Sequence, residues 1–264
     1  MPTLTTHRDF QDARRIPICY LCGHTFVDGD LKNDDHVPPK SCFAKTDRNV
    51  PLELPTHVTC NHSYHLADEK IGQVLSLKRG VVPTAKNRRV AMEVFPPSGQ
   101  HSVLGAITNV DIKGAVRRWT RGFHAALYVE PLPESPNFSI NTPFPTASML
   151  NGRLRFDPLL PQHSLFVRTI KVNRFAKNLD RISSNNGKLN YECIWASSDS
   201  GPWLCIFALN IYDWKDMGAV QNFPPRGCVG FYITASGEPP ANATKATSLR
   251  VVVPNYEPLD PFGK

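Results

Sequence analysis

The chain has 264 residues, 41% of them hydrophobic and 20% charged, with a net charge of +7, a balance that excludes a disordered chain. Its longest unbroken apolar run, Trp203 to Leu209, falls far short of the roughly 20 residues that span a bilayer, so no membrane partner is expected. The stretch MPTLTTHRDFQDARR has no apolar centre, so the expectation is a cytoplasmic protein without a secretory leader.

With 24 Pro and 16 Gly, the chain reads as loop-rich and β-containing. Taken in order, it divides at 1–80, 81–148 and 149–264, and the predicted class is α+β. Residues 1–70 hold short elements, the Cys and His residues of a metal site, and the turn signals Asp28-Gly29 and Pro38-Pro39. From Asn61 to about Leu77 the apolar residues Leu66, Ala67, Ile71 and Val74 recur at helical spacing. Gly80 and Pro83 end that helix. A second helix is predicted from Lys113 to Tyr128, carrying Arg117, Arg118 and Arg121 between Trp119 and Phe123. These two aromatics read as its apolar face. PLPESPNFSINTPFPTAS (131–148) reads as a connector.

Beyond it the chain is predicted to be β-rich. In KLNYECIWA (188–196) apolar residues alternate, and in WLCIFALNIYDW (203–214) nearly every position is apolar, as in a strand covered on both faces. The intervening SSDSGP makes the two a hairpin. GCVGFYITA and SLRVVVP are further strands. The role of this part is open between target recognition, oligomerisation as a homodimer, and activation by a partner or ligand.

The positive charge is local. Residues 71–121 contain nine Lys and Arg against only Glu93 and Asp111. A band of this kind, made of Lys78, Arg79, Lys86, Arg88, Arg89, Lys113, Arg117, Arg118 and Arg121, suits the phosphates of a polyanion. A solvated basic surface is the plainer alternative.

Seven cysteines are an odd number, and Cys19-x-x-Cys22 points to metal ligation rather than to a disulfide framework. Cys193, Cys205 and Cys228 lie in apolar surroundings and read as buried small residues. His57-x-x-Cys60 supplies a second pair, and Cys19, Cys22, His57 and Cys60 form the Cys3His set that zinc takes tetrahedrally. Such a site can hold together a unit too small to build its own core. Between the pairs lies Asp35-His36-Val37-Pro38, and Asn61 follows Cys60 directly. Asp35 and Asn61 offer oxygen to a hard cation, and His36 is free to take a proton from water. Adjacent residues on an extended strand point to opposite faces, so Asp35 and His36 serve one centre only if the strand bends there.

This order of motifs, Cys-x-x-Cys, Asp-His-x-x-Pro, then a second pair followed by Asn and later Asp68-Glu69, resembles the HNH endonucleases of the ββα-metal superfamily in their zinc-stapled form. The resemblance covers about residues 15–75. It implies that His36 is the general base, that Asp35 and Asn61 hold a catalytic Mg2+ or Mn2+, and that the four Cys/His ligands hold a structural Zn2+. Asn49 is the candidate for the motif's central asparagine, which orients the base. His65 stands where some relatives have another metal-binding histidine, leaving ligand, phosphate contact or bystander open. The implied activity is metal-dependent hydrolysis of phosphodiester bonds in nucleic acid, with double-stranded DNA as the expected partner and restriction or phage defence as a setting by analogy. The competing expectation is a zinc-stabilised nucleic-acid-binding module that does not cut.

Overall fold

A computed structural model of the chain describes residues 1–79, 81, 84, 87–95, 104–132, 138–141, 147–150, 153–156, 166, 169–170, 172–174, 176–197, 202–212 and 227–246. In order the elements are β1 (Thr3–Leu4), α1 (His7–Ala13), β2 (Lys32–His36), β3 (Glu53–His57), α2 (Val58–His62), α3 (His65–Lys78), β4 (Ala91–Phe95), β5 (Leu104–Thr108), α4 (Ile112–Tyr128), β6 (Phe138–Asn141), β7 (Ala147–Leu150), β8 (Arg153–Phe156), β9 (Asp180–Ser184), β10 (Leu189–Ser197), β11 (Trp203–Ile211) and β12 (Cys228–Tyr232). The fold is mixed helix and strand, and no described helix is long and apolar enough to cross a membrane.

A six-stranded sheet in the order β1-β9-β10-β11-β12-β6 is antiparallel except where β1 runs parallel to β9. Strands β10 and β11 pair over their full length, Leu189 opposite Ile211 and Ser197 opposite Trp203, as the apolar patterns of the two segments predict. Because side chains alternate along a strand, β11 sends Cys205, Phe207, Leu209 and Ile211 into one core and Leu204, Ile206 and Ala208 into another. Phe166, Ile170 and Leu179 cover the second face.

Helix α4 covers the first face. Asp111 caps its start, accepting from the Gly114 amide at 2.8 Å, and every residue from Val116 to Tyr128 except Arg117 is buried. The Phe123 ring lies 4.6 Å from that of Tyr191, so Trp119 and Phe123 are core residues, as their spacing suggests. The opposite side of α4 meets the hairpin β2–β3. At Gly122 a Cβ atom would stand 2.8 Å from Val37 Cγ1 and 3.3 Å from both Leu54 and Tyr20 side chains, so only glycine permits this approach. One apolar core therefore runs from Leu4, Tyr20 and Leu54 through α4 to Tyr191 and Phe207.

Two expectations need revision. The Pro-rich connector 131–148 contains an edge strand: β6 pairs with β12, and Phe138 stacks on Tyr232 with ring centroids 5.1 Å apart. Its alternation is too short to register against the surrounding prolines. The first helix after the metal ligands is split, with α2 and α3 separated by Ser63 and Tyr64. The SLRVVVP strand and most of the SSDSGP turn lie outside the described residues.

Several buried polar groups in this core are paired with one another. The Tyr128 hydroxyl donates to Asp180 (2.8 Å) and accepts from Trp195 Nε1 (3.1 Å), while Asp180 also accepts from Thr244. His124 Nδ1 lies 3.0 Å from the Tyr232 hydroxyl, and burial pushes its pKa down to about 3. In the unfolded chain the imidazole protonates near pH 6.5. Between those values the unfolded state binds the extra proton, so stability falls as pH falls. His124→Phe should flatten the dependence of unfolding free energy on pH between about 6.5 and 3, measured by urea titration; an unchanged slope would refute this assignment.

Candidate functional site

The segment from Ile18 builds a tight knuckle. The Cys19 amide donates to the His24 carbonyl (2.9 Å), and the Gly23 amide donates to the Cys19 carbonyl (2.7 Å), with Gly23 at φ 82°. This left-handed residue turns the chain so that both Cys19 and Cys22 face inward. The second pair comes from the end of β3 and the start of α2: His57 is the last strand residue and Cys60 lies in the first helical turn. The ligand atoms of Cys19, Cys22, His57 and Cys60 all lie within 4.8 Å of one another, and among the described residues they are the one such group of three or more His, Cys, Asp or Glu.

Three sulfurs and one nitrogen fit zinc. Tetrahedral Zn–S bonds of about 2.3 Å place sulfurs about 3.8 Å apart, compatible with this packing. Burial, together with the Cys19 and Cys22 sulfurs, pushes the Cys60 thiol up to about 11, a cost that a bound cation removes by taking thiolates. His57 Nδ1 lies 3.4 Å from Cys22 Sγ, and its Nε2 lies 3.3 Å from Asp30 Oδ2, which also accepts from the Val27 amide at 2.7 Å. A carboxylate on the far nitrogen of a ligand histidine fixes ring orientation and raises its basicity. No spacing rule reveals Asp30; only the loop fold brings it to His57.

The hairpin places the remaining motif residues. Register pairs Asp35 with Leu54 and His36 with Glu53, and the strand is regular, so the two motif residues face opposite ways. Asp35 is 6% exposed, and its Oδ2 accepts from the Tyr20 hydroxyl at 2.5 Å. Burial raises its pKa, with the Arg118 charge acting against the rise. His36 lies on the other face, its Nε2 2.5 Å from Glu53 Oε1. The contact is close but lacks hydrogen-bond alignment, so Glu53 acts through its charge. Arg14 bridges Glu53 (2.9 Å) and Asp34 (2.5 Å) on this face. Burial lowers the His36 pKa, and the Glu53 charge offsets this in part.

The residues expected at a second metal centre come from separate elements: Asp35 from β2, Asn61 from α2 and His65 from α3. Asn61 is half-buried on α2 and His65 is exposed at the start of α3, and no hydrogen bond joins either to Asp35 among the described residues. A divalent cation at Asp35 would meet a carboxylate whose Oδ2 already accepts from the Tyr20 hydroxyl and which lies in the field of Arg118. Asn49 does not orient His36: its Nδ2 donates to Asn186 Oδ1 at 3.1 Å, tying the loop to the turn after β9.

Part of the basic band is internal. Arg118 is 5% exposed, ion-paired with Asp68 and stacked over Tyr64. Burial alone would lower its pKa, but Tyr20, Asp68 and Asp35 outweigh it and hold it raised. Arg121, equally buried, donates to the carbonyls of Leu132 (2.8 Å) and Leu21 (2.7 Å). Arg117 lies over Phe138. Arg79 donates to the Cys42 carbonyl at 2.6 Å and lies over Tyr212. Arg89 pairs with Glu69, and Arg88 and Lys113 are exposed. Lys86 and the Lys78 side chain lie outside the described residues. The expectation that Arg118 and Arg121 contact phosphate is thus corrected: helix periodicity put them among apolar residues, and their partners come from distant segments. Comparisons with protein-family profiles, with curated proteins and with solved structures give no match.

Two outcomes follow from this geometry. Purified protein should hold about one zinc per chain; Cys22→Ser should lose it together with local order, and Asp30→Ala should weaken it about 10- to 100-fold. Folded Cys22→Ser protein that keeps its zinc would rule the ligand out. Arg118→Met should destabilise the fold by roughly 3 kcal/mol by leaving Asp68 uncompensated, and Asp68→Leu in the same chain should recover most of that. Chemical denaturation of the single and double variants decides; additive losses would contradict the pairing.

Proposed function

We propose that the chain is a zinc-stapled nuclease of the HNH type that hydrolyses phosphodiester bonds in nucleic acid, with DNA as its substrate and His36 as general base. The observation that supports this reading is the knuckle, hairpin and helix that gather Cys19, Cys22, His57 and Cys60, with His36 at the end of the framed strand and Asn61 directly after the last sulfur. The fold class and the ligand quartet agree with the motif order read from sequence.

In this proposal His36 is the working group. Its lowered pKa keeps the imidazole neutral near pH 7, the state that accepts a proton. Water attacks phosphorus while its proton passes to His36, and the bond from phosphorus to the 3′-oxygen breaks, that oxygen leaving with the bonding pair and taking a proton from solvent water. The nearby Glu53 carboxylate then balances the imidazolium charge. Arg88 and Lys113, exposed among the basic residues, are the proposed contacts to flanking phosphates. Mg2+ and Mn2+ enter as assay variables, with Asp35 and Asn61 as proposed ligands.

A second reading, a nucleic-acid-binding module that does not cut, is favoured by one observation: Asp35 is closed off by Tyr20. Incubation with supercoiled plasmid, linear duplex and single strands, each with Mg2+, Mn2+ or EDTA, separates the two. Wild-type protein should nick or linearise duplex DNA. His36→Ala should lower the rate about 10²- to 10⁴-fold while zinc content and melting temperature stay near wild type. Undiminished cleavage by a folded His36→Ala protein would sink the mechanism, and binding without cleavage under every condition would favour the second reading.

A further inference from the structure

Away from the metal ligands, the arm before α1, the loop preceding β3 and the turn between β9 and β10 enclose a cavity of about 290 Å3. This is close to the lower end of the range for small-molecule sites, about 300–1,000 Å3. His7, Asn49, Val50, Arg181, Asn185 and Asn186 are among its lining residues, and no carboxylate is. Arg181 is exposed on β9. Among the described residues neither its guanidinium nor the His7 imidazole has a partner, in contrast to the inward-facing arginines of α4. A free guanidinium facing a cavity without acidic groups is complementary to an anion, and its fork matches phosphate oxygens two at a time.

The backbone at the cavity wall includes one strained residue, Val50, beside a hairpin turn in which Asn and Gly take positive φ as such turns usually do. Val50 has φ 49°, Asn185 54°, Asn186 55° and Gly187 74°. A β-branched residue in the left-handed region is costly, and such residues concentrate where a ligand is clamped. The Asn49 to Asn186 hydrogen bond (3.1 Å) and that from Asn186 Nδ2 to the Thr46 carbonyl (3.4 Å) tie the two loops across the same wall. Phe10, 3% exposed, supplies an apolar side.

We infer that this cavity binds a phosphate monoester of about nucleotide size, with Arg181 holding the phosphate. The ester can come from a free nucleotide or from the 5′-phosphate of a strand end. The inference does not depend on nuclease activity, because binding alone is read out. Full-length protein is titrated calorimetrically with AMP, with inorganic phosphate, and with a short oligonucleotide carrying or lacking a 5′-phosphate. Saturable binding of AMP is expected. Arg181→Gln should weaken it at least about tenfold, the loss of a charge-assisted contact, and His7→Ala should weaken it less. Arg8→Gln, an exposed charge on the neighbouring helix, should leave it unchanged. A strand end as the source would show as an oligonucleotide preference that requires the 5′-phosphate and Arg181. No binding by any probe at millimolar concentration, or AMP binding that Arg181→Gln leaves intact, overturns the proposal. So does oligonucleotide binding indifferent to its 5′-phosphate without any binding of AMP.

Discussion

Burial of α4 between the β2–β3 hairpin and the six-stranded sheet is the constraint on which the rest of the structure depends. Beyond its first turn a helix covered on both sides leaves little outward face for charge, yet this one carries three arginines there. Each is resolved differently: Arg118 by a carboxylate, Arg121 by two carbonyls, Arg117 by an aromatic ring. A close approach falls at Gly122, where Val37, Leu54 and Tyr20 crowd the helix. The hairpin that carries Asp35 and His36 is therefore set against the same helix that covers the sheet.

This arrangement gives the two motif residues separate environments. Asp35 belongs to the interior, among Tyr20, Asp68 and Arg118, whose charges and hydroxyl are mutually satisfied. His36 belongs to the outer face, within reach of Glu53 and the Arg14 bridge. Strand alternation alone enforces the separation. A chemistry centred on His36 draws on Glu53, Asp34 and Arg14 before it draws on its own sequence neighbour.

How much was legible beforehand depended on the range of the interaction. The Cys3His quartet could be read because its pairs have local spacing and zinc tolerates few donor sets. The β10–β11 hairpin could be read because period-two burial is written along each strand. Glu53 needs the hairpin register, and Asp30 needs the fold of the loop before β2. Arg118 and Arg121 misled because a charged residue on a helix reads as solvent-facing unless its partner is known, and Asp68 and Leu21 are 50 and 100 residues away. Asn49 was misplaced for the same reason, its partner Asn186 lying 137 residues on.

Those separations also carry a time. A ribosome adds about 5–20 residues per second, so Asp68 waits roughly 3–10 s for Arg118 to be made, and Leu21 waits longer for Arg121. The four metal donors are complete at Cys60, before either arginine exists. During synthesis, ligation of a cation is thus a long-range closure open to this segment before either arginine is made, and it can keep the hairpin in shape until the helix that covers it arrives.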